Sequence, residues 1–345
     1  MRPVLLPPNG QRRFYRGGSR IAELRGMPQN GDHAPEDWVG ATNPAFGTNE
    51  AGLTRLSDGP LLRDAVEAEP EGFLGPEHVA RFGADPRLLV KLLDAGQRLP
   101  VHYHPGRAFA RAALGSAVGK TEAWLIVAAD PGAEVQLGFR ADVDAGTVRE
   151  WVAKQDVSAM LGALRRVPVA RGDVLLVPAG TPHAIGEGIL LVELQEPSDF
   201  SVLLEMAGFG LSQDDGVELG LGWERALEAL DTSAWDEGRL AAVRGHPRDA
   251  NGRSGALALL PPEADPYFRA ELLQPDPESE LDAGFSILVV LDGSGGLRSA
   301  DGAELPLSRG QTVLVPHAAG ACTLSGQLEA VRCRPPDPAA GEGEW

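Results

Sequence analysis

Cysteine is almost absent from this chain: Cys322 and Cys333 are the two in 345 residues. Two cannot staple a chain of this length, and they form no C-x-x-C pair, so a reduced, cytoplasmic protein is expected. A disulfide between neighbouring strands is the alternative. Basic charge is also scarce. Lysine and arginine number 31 against 49 aspartates and glutamates, leaving a net charge of −18, and no basic run of five or more interrupts the deficit. Such a field repels phosphate backbones and anionic lipid heads, which argues against nucleic acid and membrane as partners. Long apolar runs are missing too. Nothing approaches the ~18–20 consecutive apolar residues of a membrane span. Val4-Leu5-Leu6, bounded by prolines, is shorter than the ~7–15 residues of a signal-peptide core. A soluble protein without an export signal follows.

What is abundant is glycine and proline, 43 and 28 residues, about a fifth of the chain. With 43% hydrophobic and 23% charged residues, this composition favours a globular protein of short strands joined by many turns. At about 150 residues per domain the length suggests two domains. Residues 1–60 read as an irregular lead-in packing on a barrel, with short extended pieces such as Arg20 to Leu24 and an anchor at Trp38. From Leu88 the runs LLVKLL, WLIVAA, AEVQLGF, DVLLVP and ILLVELQ are each bounded by Gly, Pro or Asp and read as strands. Within this block, Val148, Trp151, Val152, Val157, Met160, Leu161 and Leu164 recur near helical spacing, predicting one helix or two short ones between Ala145 and Val167. A first β domain over 61–206, with this helical insertion, is expected. A helical connector follows over 207–250, where Trp223, Ala226, Leu227 and Leu230 share a face. Strand texture returns in a second β domain over 251–345. Arg171-Gly172-Asp173 leads through VLLVP to Gly180, and Arg309-Gly310-Gln311 leads through TVLVP to Gly320, so the two blocks look like one barrel used twice.

Seven histidines occur, at 33, 78, 102, 104, 183, 246 and 317. His102 and His104, in VHYHP, are two residues apart. In a strand, alternate side chains point to one face, so both imidazoles can face one interior as a chelating pair. The pair alone is equally compatible with two hydrogen-bonded histidines on a polar face. Downstream, GDVLLVPAGTPH uses Pro178 and Gly180 to turn the chain and deliver His183 at the start of the next strand. The other four histidines have no partner at ligand spacing and are read as structural.

GDVLLVPAGTPH resembles the second cupin motif, and His102-Tyr103-His104 followed by Glu122 resembles the first. The intervening PGRAFARAALGSAVGKTEAW, the upstream LLVKLLDAGQRL, the segment PAGTPHAIGEGILLVELQEPSD at 178–199 and, more weakly, GQTVLVPHAAG resemble class I mannose-6-phosphate isomerases. The resemblance is strongest over 85–205. It implies a mainly β protein of two cupin-like (jelly-roll) β-barrels with a few connecting helices. It further implies metal ligation by His102, His104, Glu122 and His183, and substrate contacts from Lys91 and Lys120. His102 stands where the family usually has glutamine. Pro100 and Leu203 stand where it has a phosphate-associated serine and an arginine.

The chemistry implied is aldose–ketose isomerisation through an enediol, with one divalent cation as Lewis acid. Zinc is expected first, with Mn, Fe, Co or Ni accommodated by the extra imidazole. Lys120, Glu193 and a metal-bound water compete as the proton carrier. Asp199 is a further base or ion-pair candidate. The C-terminal barrel, with no His-x-His before VPHAAGACTL, is expected to bind no metal. A small-molecule sugar or sugar phosphate is the expected partner, in a monomer or homodimer. Because Pro100 and Leu203 cannot bind phosphate, an unphosphorylated sugar is allowed for. Arg107 and Arg111 are the residues that would restore phosphate binding. An iron-dependent cupin dioxygenase and a catalytically silent sugar-binding cupin are the alternatives from other classes.

Overall fold

The computed structural model describes residues 1–57, 59–245, 247–249, 255–341 and 343. It is mainly β, built from three antiparallel sheets. Two of them carry the N-terminal unit. A six-stranded sheet runs in the order Gly10–Gln11, Glu36–Val39, Leu89–Ala95, Ile189–Gln195, Glu122–Ala129, Val174–Val177. A five-stranded sheet runs Val202–Leu203, His102–Tyr103, His183–Ile185, Glu134–Phe139, Leu164–Pro168. The two face each other closely enough that Glu122 of the first lies 3.3 Å from His183 of the second. The strands Leu89–Ala95 and Ile189–Gln195 are buried along their whole length. A continuous apolar run suits strands covered on both faces.

The third sheet has nine strands and forms the C-terminal unit, with the long antiparallel partners Ser286–Arg298 and Cys322–Arg334 at its centre. One apolar cluster joins Val90 and Leu92 of the six-stranded sheet, Leu62 and Val66 of the helix Leu62–Ala68, and Ile287 and Val331 of the third sheet, with Phe268 just before one of its strands. The two units thus share a core. Cys322 and Cys333 are buried and free. No helix among the described residues is long and apolar enough to cross a membrane.

The first 60 residues are more regular than their composition suggests. Val4–Leu6 pairs with Thr312–Val315 in the C-terminal sheet, while Gly10–Gln11 and Glu36–Val39 extend the six-stranded sheet. Arg20 to Leu24, expected to be extended, lies in a helix, Arg20–Arg25. That helix is closed by Gly26 in the left-handed conformation, φ 63°, a backbone state that glycine adopts without a Cβ clash. The helical periodicity after Ala145 resolves into Ala145–Lys154 and Val157–Ala163, with Asp144 and Asp156 side chains accepting from Thr147 and Ala159 N–H. The reading to Val167 runs too far: Leu164–Pro168 is a strand. In 207–250 the pattern around Trp223 forms one short helix, Trp223–Ala226, continued by a 3₁₀ turn, and Glu237–Val243 forms another.

Candidate metal centre and active site

Three imidazoles converge where the two N-terminal sheets face each other. His183 is the cross-strand partner of His102, and His104 lies two residues on. The turn after Val177 places His183 there. Gly180, at φ 84°, donates its N–H to the His104 carbonyl at 2.7 Å, tying the two histidine-bearing segments together. His102, His104 and His183 are all buried, and a nitrogen from each lies within 4.8 Å of the others. This is the only cluster of three potential metal ligands among the described residues.

Each Nδ1 faces a backbone carbonyl: His102 that of Pro100 at 2.8 Å, His104 that of Phe200 at 2.7 Å, His183 that of Thr181 at 2.8 Å. A carbonyl only accepts, so each Nδ1 carries the proton and each Nε2 presents a lone pair to the centre. Burial keeps His102 and His104 neutral. Desolvation, reinforced for His104 by the Lys120 ammonium, lowers the His104 pKa to about 3. His183 Nε2 is buried with no hydrogen-bond partner. Glu122 completes the set, its carboxylate 3.2 Å from His104 Nε2 and 3.3 Å from His183 Nε2 and steadied by Trp124 Nε1 at 3.0 Å. Three imidazoles with inward Nε2 atoms, one carboxylate and an orphaned buried nitrogen suit a divalent transition cation.

Beside this centre a cavity of about 240 Å³ is lined by His102, Lys120, Glu122, Lys91 and Glu193. Lys120 Nζ lies 2.8 Å from both His104 Nε2 and Glu122 Oε2. Glu193 sits 4.0 Å from Lys120 and 3.6 Å from Lys91, and its Oε1 accepts no hydrogen bond. Burial raises the Glu193 pKa, opposed by Lys91 and assisted by the Glu122 charge. In register, Glu193 stands opposite both Lys91 and Trp124, and Lys91 opposite Trp38, so one row of the six-stranded sheet carries the chemistry.

Asp199 also lines this cavity, bridged to Arg13 at 3.1 Å. Arg13, Tyr15 and Glu36 join it, none of them singled out in the sequence. The Glu36 carboxylate accepts from Tyr15 and from Trp38 Nε1 and pairs with Arg13 at 3.1 Å and Lys91 at 3.6 Å. Burial would raise its pKa, but Arg13 and Lys91 outweigh that and hold it well below the usual carboxylate range. Glu36-Asp37-Trp38 is short and charged, so its pattern carries no strand signal. Pro100 and Leu203 line the cavity as expected from their positions. Arg107 and Arg111 do not. They border a separate cavity with Arg81 and Arg87, because Arg107 is drawn to Glu196 at 2.5 Å and to the Pro266 carbonyl. His33 and His78 each bond a backbone carbonyl, His317 opens a 3₁₀ turn, and His246 lies outside the described residues.

Facing antiparallel sheets that deliver three inward imidazoles and a carboxylate define a cupin-type metal-site protein. No family model matches the chain. It is 30% identical over 232 residues to the probable mannose-6-phosphate isomerase GmuF of Bacillus subtilis (strain 168), covering 66% of this chain and 68% of that one. It is 28% identical over 341 residues to the mannose-6-phosphate isomerase of Streptococcus mutans serotype c, covering 95% and 97%. The solved mannose 6-phosphate isomerase of Bacillus subtilis superposes with a TM-score of 0.77 at 23% identity, covering 97% of this chain and all of that one. The chain belongs to the mannose-6-phosphate isomerase family.

Proposed function

We propose that this protein is a metal-dependent aldose–ketose isomerase of the mannose-6-phosphate isomerase type. The observation that carries the reading is the convergence of three Nδ1-protonated, buried imidazoles and Glu122 beside a cavity that also presents Lys120 and Glu193. His102, His104, Glu122 and His183 would hold the cation, zinc first, with Mn, Fe, Co or Ni also suited to a nitrogen-rich set. When bound, the cation supplies Lewis acidity to a sugar carbonyl and its neighbouring hydroxyl.

The residues supply the rest. Glu193, with an unbonded Oε1 and a raised pKa, takes the proton from C2 of the aldose and returns it to C1, while the C2 hydroxyl proton passes to the C1 oxygen, leaving the ketose. A positioned base of this kind contributes on the order of 10²–10⁴ in rate. Lys120, donating from beside Glu122, stabilises the negative charge that develops on the enediolate oxygens. Lys91, between Glu36 and Glu193, holds the base in place. Metal-loaded protein incubated with mannose, mannose 6-phosphate and a panel of other aldoses should form the corresponding ketose, followed by a coupled ketose assay. No ketose from any aldose would overturn the reading.

A further inference from the structure

One wall of the cavity is a ladder of alternating charge. From the histidine cluster outward it reads Glu122, Lys120, Glu193, Lys91, Glu36, Arg13, Asp199. The successive separations are 2.8, 4.0, 3.6, 3.6, 3.1 and 3.1 Å. All seven residues line the cavity. The sequence of pairs follows from the sheet: Lys91 and Glu193 are direct cross-strand partners, and Glu36 sits diagonally from Lys91, opposite Leu93. Every cation in the row already holds a carboxylate on at least one side. Arg13, the outermost, holds two.

Facing this ladder are apolar groups, among them Pro100, Leu203, Val217 and Leu219. The further titratable groups on the lining are Tyr15, His102 and Asp215, and none of them adds a cation. Among the described residues, no cation of the cavity wall is left without a carboxylate partner.

We propose that this strip recognises a neutral polyhydroxyl chain, so that the substrate class is an unphosphorylated aldose. This rests on the isomerase reading above and deepens it. The chemistry is one of matching. A hydroxyl gives one hydrogen bond and takes others, so a row that alternates carboxylate with ammonium or guanidinium offers each successive hydroxyl both an acceptor and a donor. The C–H face of the sugar then lies on the apolar wall. A phosphate dianion has acceptors only and calls for convergent, unengaged cations. Placed on Arg13 it would sit against Glu36 and Asp199, and placed at Leu203 or Pro100 it would lose its water to an apolar surface.

The test uses the metal-loaded, full-length protein and compares kcat/KM for mannose and mannose 6-phosphate. The unphosphorylated sugar should be preferred tenfold or more; a higher kcat/KM for the 6-phosphate overturns the proposal. Calorimetric binding of mannitol and mannitol 6-phosphate separates this proposal from the isomerase reading. If mannitol binds more tightly while neither sugar turns over, the isomerase reading fails and the substrate class stands. Tighter binding of the phosphorylated polyol, or binding of neither, overturns the class. In Leu203→Arg, the new guanidinium on the apolar wall should move the kcat/KM ratio at least tenfold toward the phosphorylated sugar. An unchanged ratio overturns the placement.

Discussion

His183 Nε2, buried with no partner, is the atom whose loss should be felt most directly. In His183→Ala, metal content measured by elemental analysis should fall from one per chain to below a tenth, with the far-ultraviolet circular dichroism unchanged. Full metal content in that variant would remove His183 from the ligand set. Lys120 is a different case, because its ammonium lies 2.8 Å from two of the same ligand atoms without being able to ligate while charged. Lys120→Met should therefore keep the metal, bind it at least as tightly, and lose 10²-fold or more in kcat, the scale of a positioned charge or proton donor. Loss of metal together with activity would make Lys120 structural. The ligand histidines and Lys120 are legible in the sequence because each sits in a short motif whose spacing sets its face. Arg13 and Glu36 are not. Arg13 meets Asp199 across 186 residues of chain, and no local periodicity encodes that meeting.

The loop that carries Lys120 is held by a single carboxylate. Glu196, buried just after the strand Ile189–Gln195, accepts from Arg107 Nε at 2.5 Å, Thr121 N–H at 3.0 Å and Gly119 N–H at 3.4 Å, bracketing Lys120 on both sides. Gly119 is packed so tightly that a Cβ there would meet Arg107 N and the Pro105 carbonyl at 2.7 Å. Glu196→Ala leaves two buried N–H groups unpaired, at about 1–3 kcal/mol each. It should lower the thermal midpoint and reduce kcat more than KM rises, while Glu196→Gln, which keeps an acceptor oxygen, should recover most of both. Equal losses in the two variants would show that Arg107 charge pairing, rather than loop support, is what matters. This use of Arg107 is structural, whereas its place after the histidine pair suggests a ligand contact; sequence proximity to a site does not fix the direction of a side chain on the helix Arg107–Leu114. The strands were legible from uninterrupted apolar runs bounded by turn residues. The short helices Leu62–Ala68, Pro70–Leu74 and Pro76–Phe82 were not, since each spans two turns or fewer and shows too little periodicity to stand out.

Across the whole molecule, ion-paired carboxylates and buried neutral histidines set the response to acid. Glu36, in the N-terminal unit, and Asp282, in the C-terminal one, both have folded pKa values below their ordinary ones. For each, burial pushes upward and is overcome, by Arg13 and Lys91 for Glu36 and by Arg332 and Arg334 for Asp282. A carboxylate with a depressed folded pKa contributes stability that is present above its unfolded value, 4.5 for Glu36 and 3.8 for Asp282. That stability is lost as pH falls below those values, because the unfolded chain then binds the proton more readily. Glu193 has the opposite sign. Its raised folded pKa adds stability at low pH that disappears as pH rises through the folded value, so it blunts the acid response without reversing two depressed groups. In the metal-free protein the thermal midpoint should accordingly begin to fall below about pH 6.5, where the unfolded chain protonates His102 and His104 more readily than the fold does, and fall more steeply below about pH 4.5. Glu36→Gln isolates one contribution. At pH 7 the variant should melt lower than the parent, since Arg13 and Lys91 lose a buried counter-charge. The gap should narrow as pH falls below 4.5, where the unfolded parent takes up the proton that the folded Glu36 carboxylate excludes. A gap that stays constant from pH 7 to pH 3 would mean that Glu36 acts through shape and hydrogen bonding rather than charge, and the ladder would lose the rung between Lys91 and Arg13 as an electrostatic element.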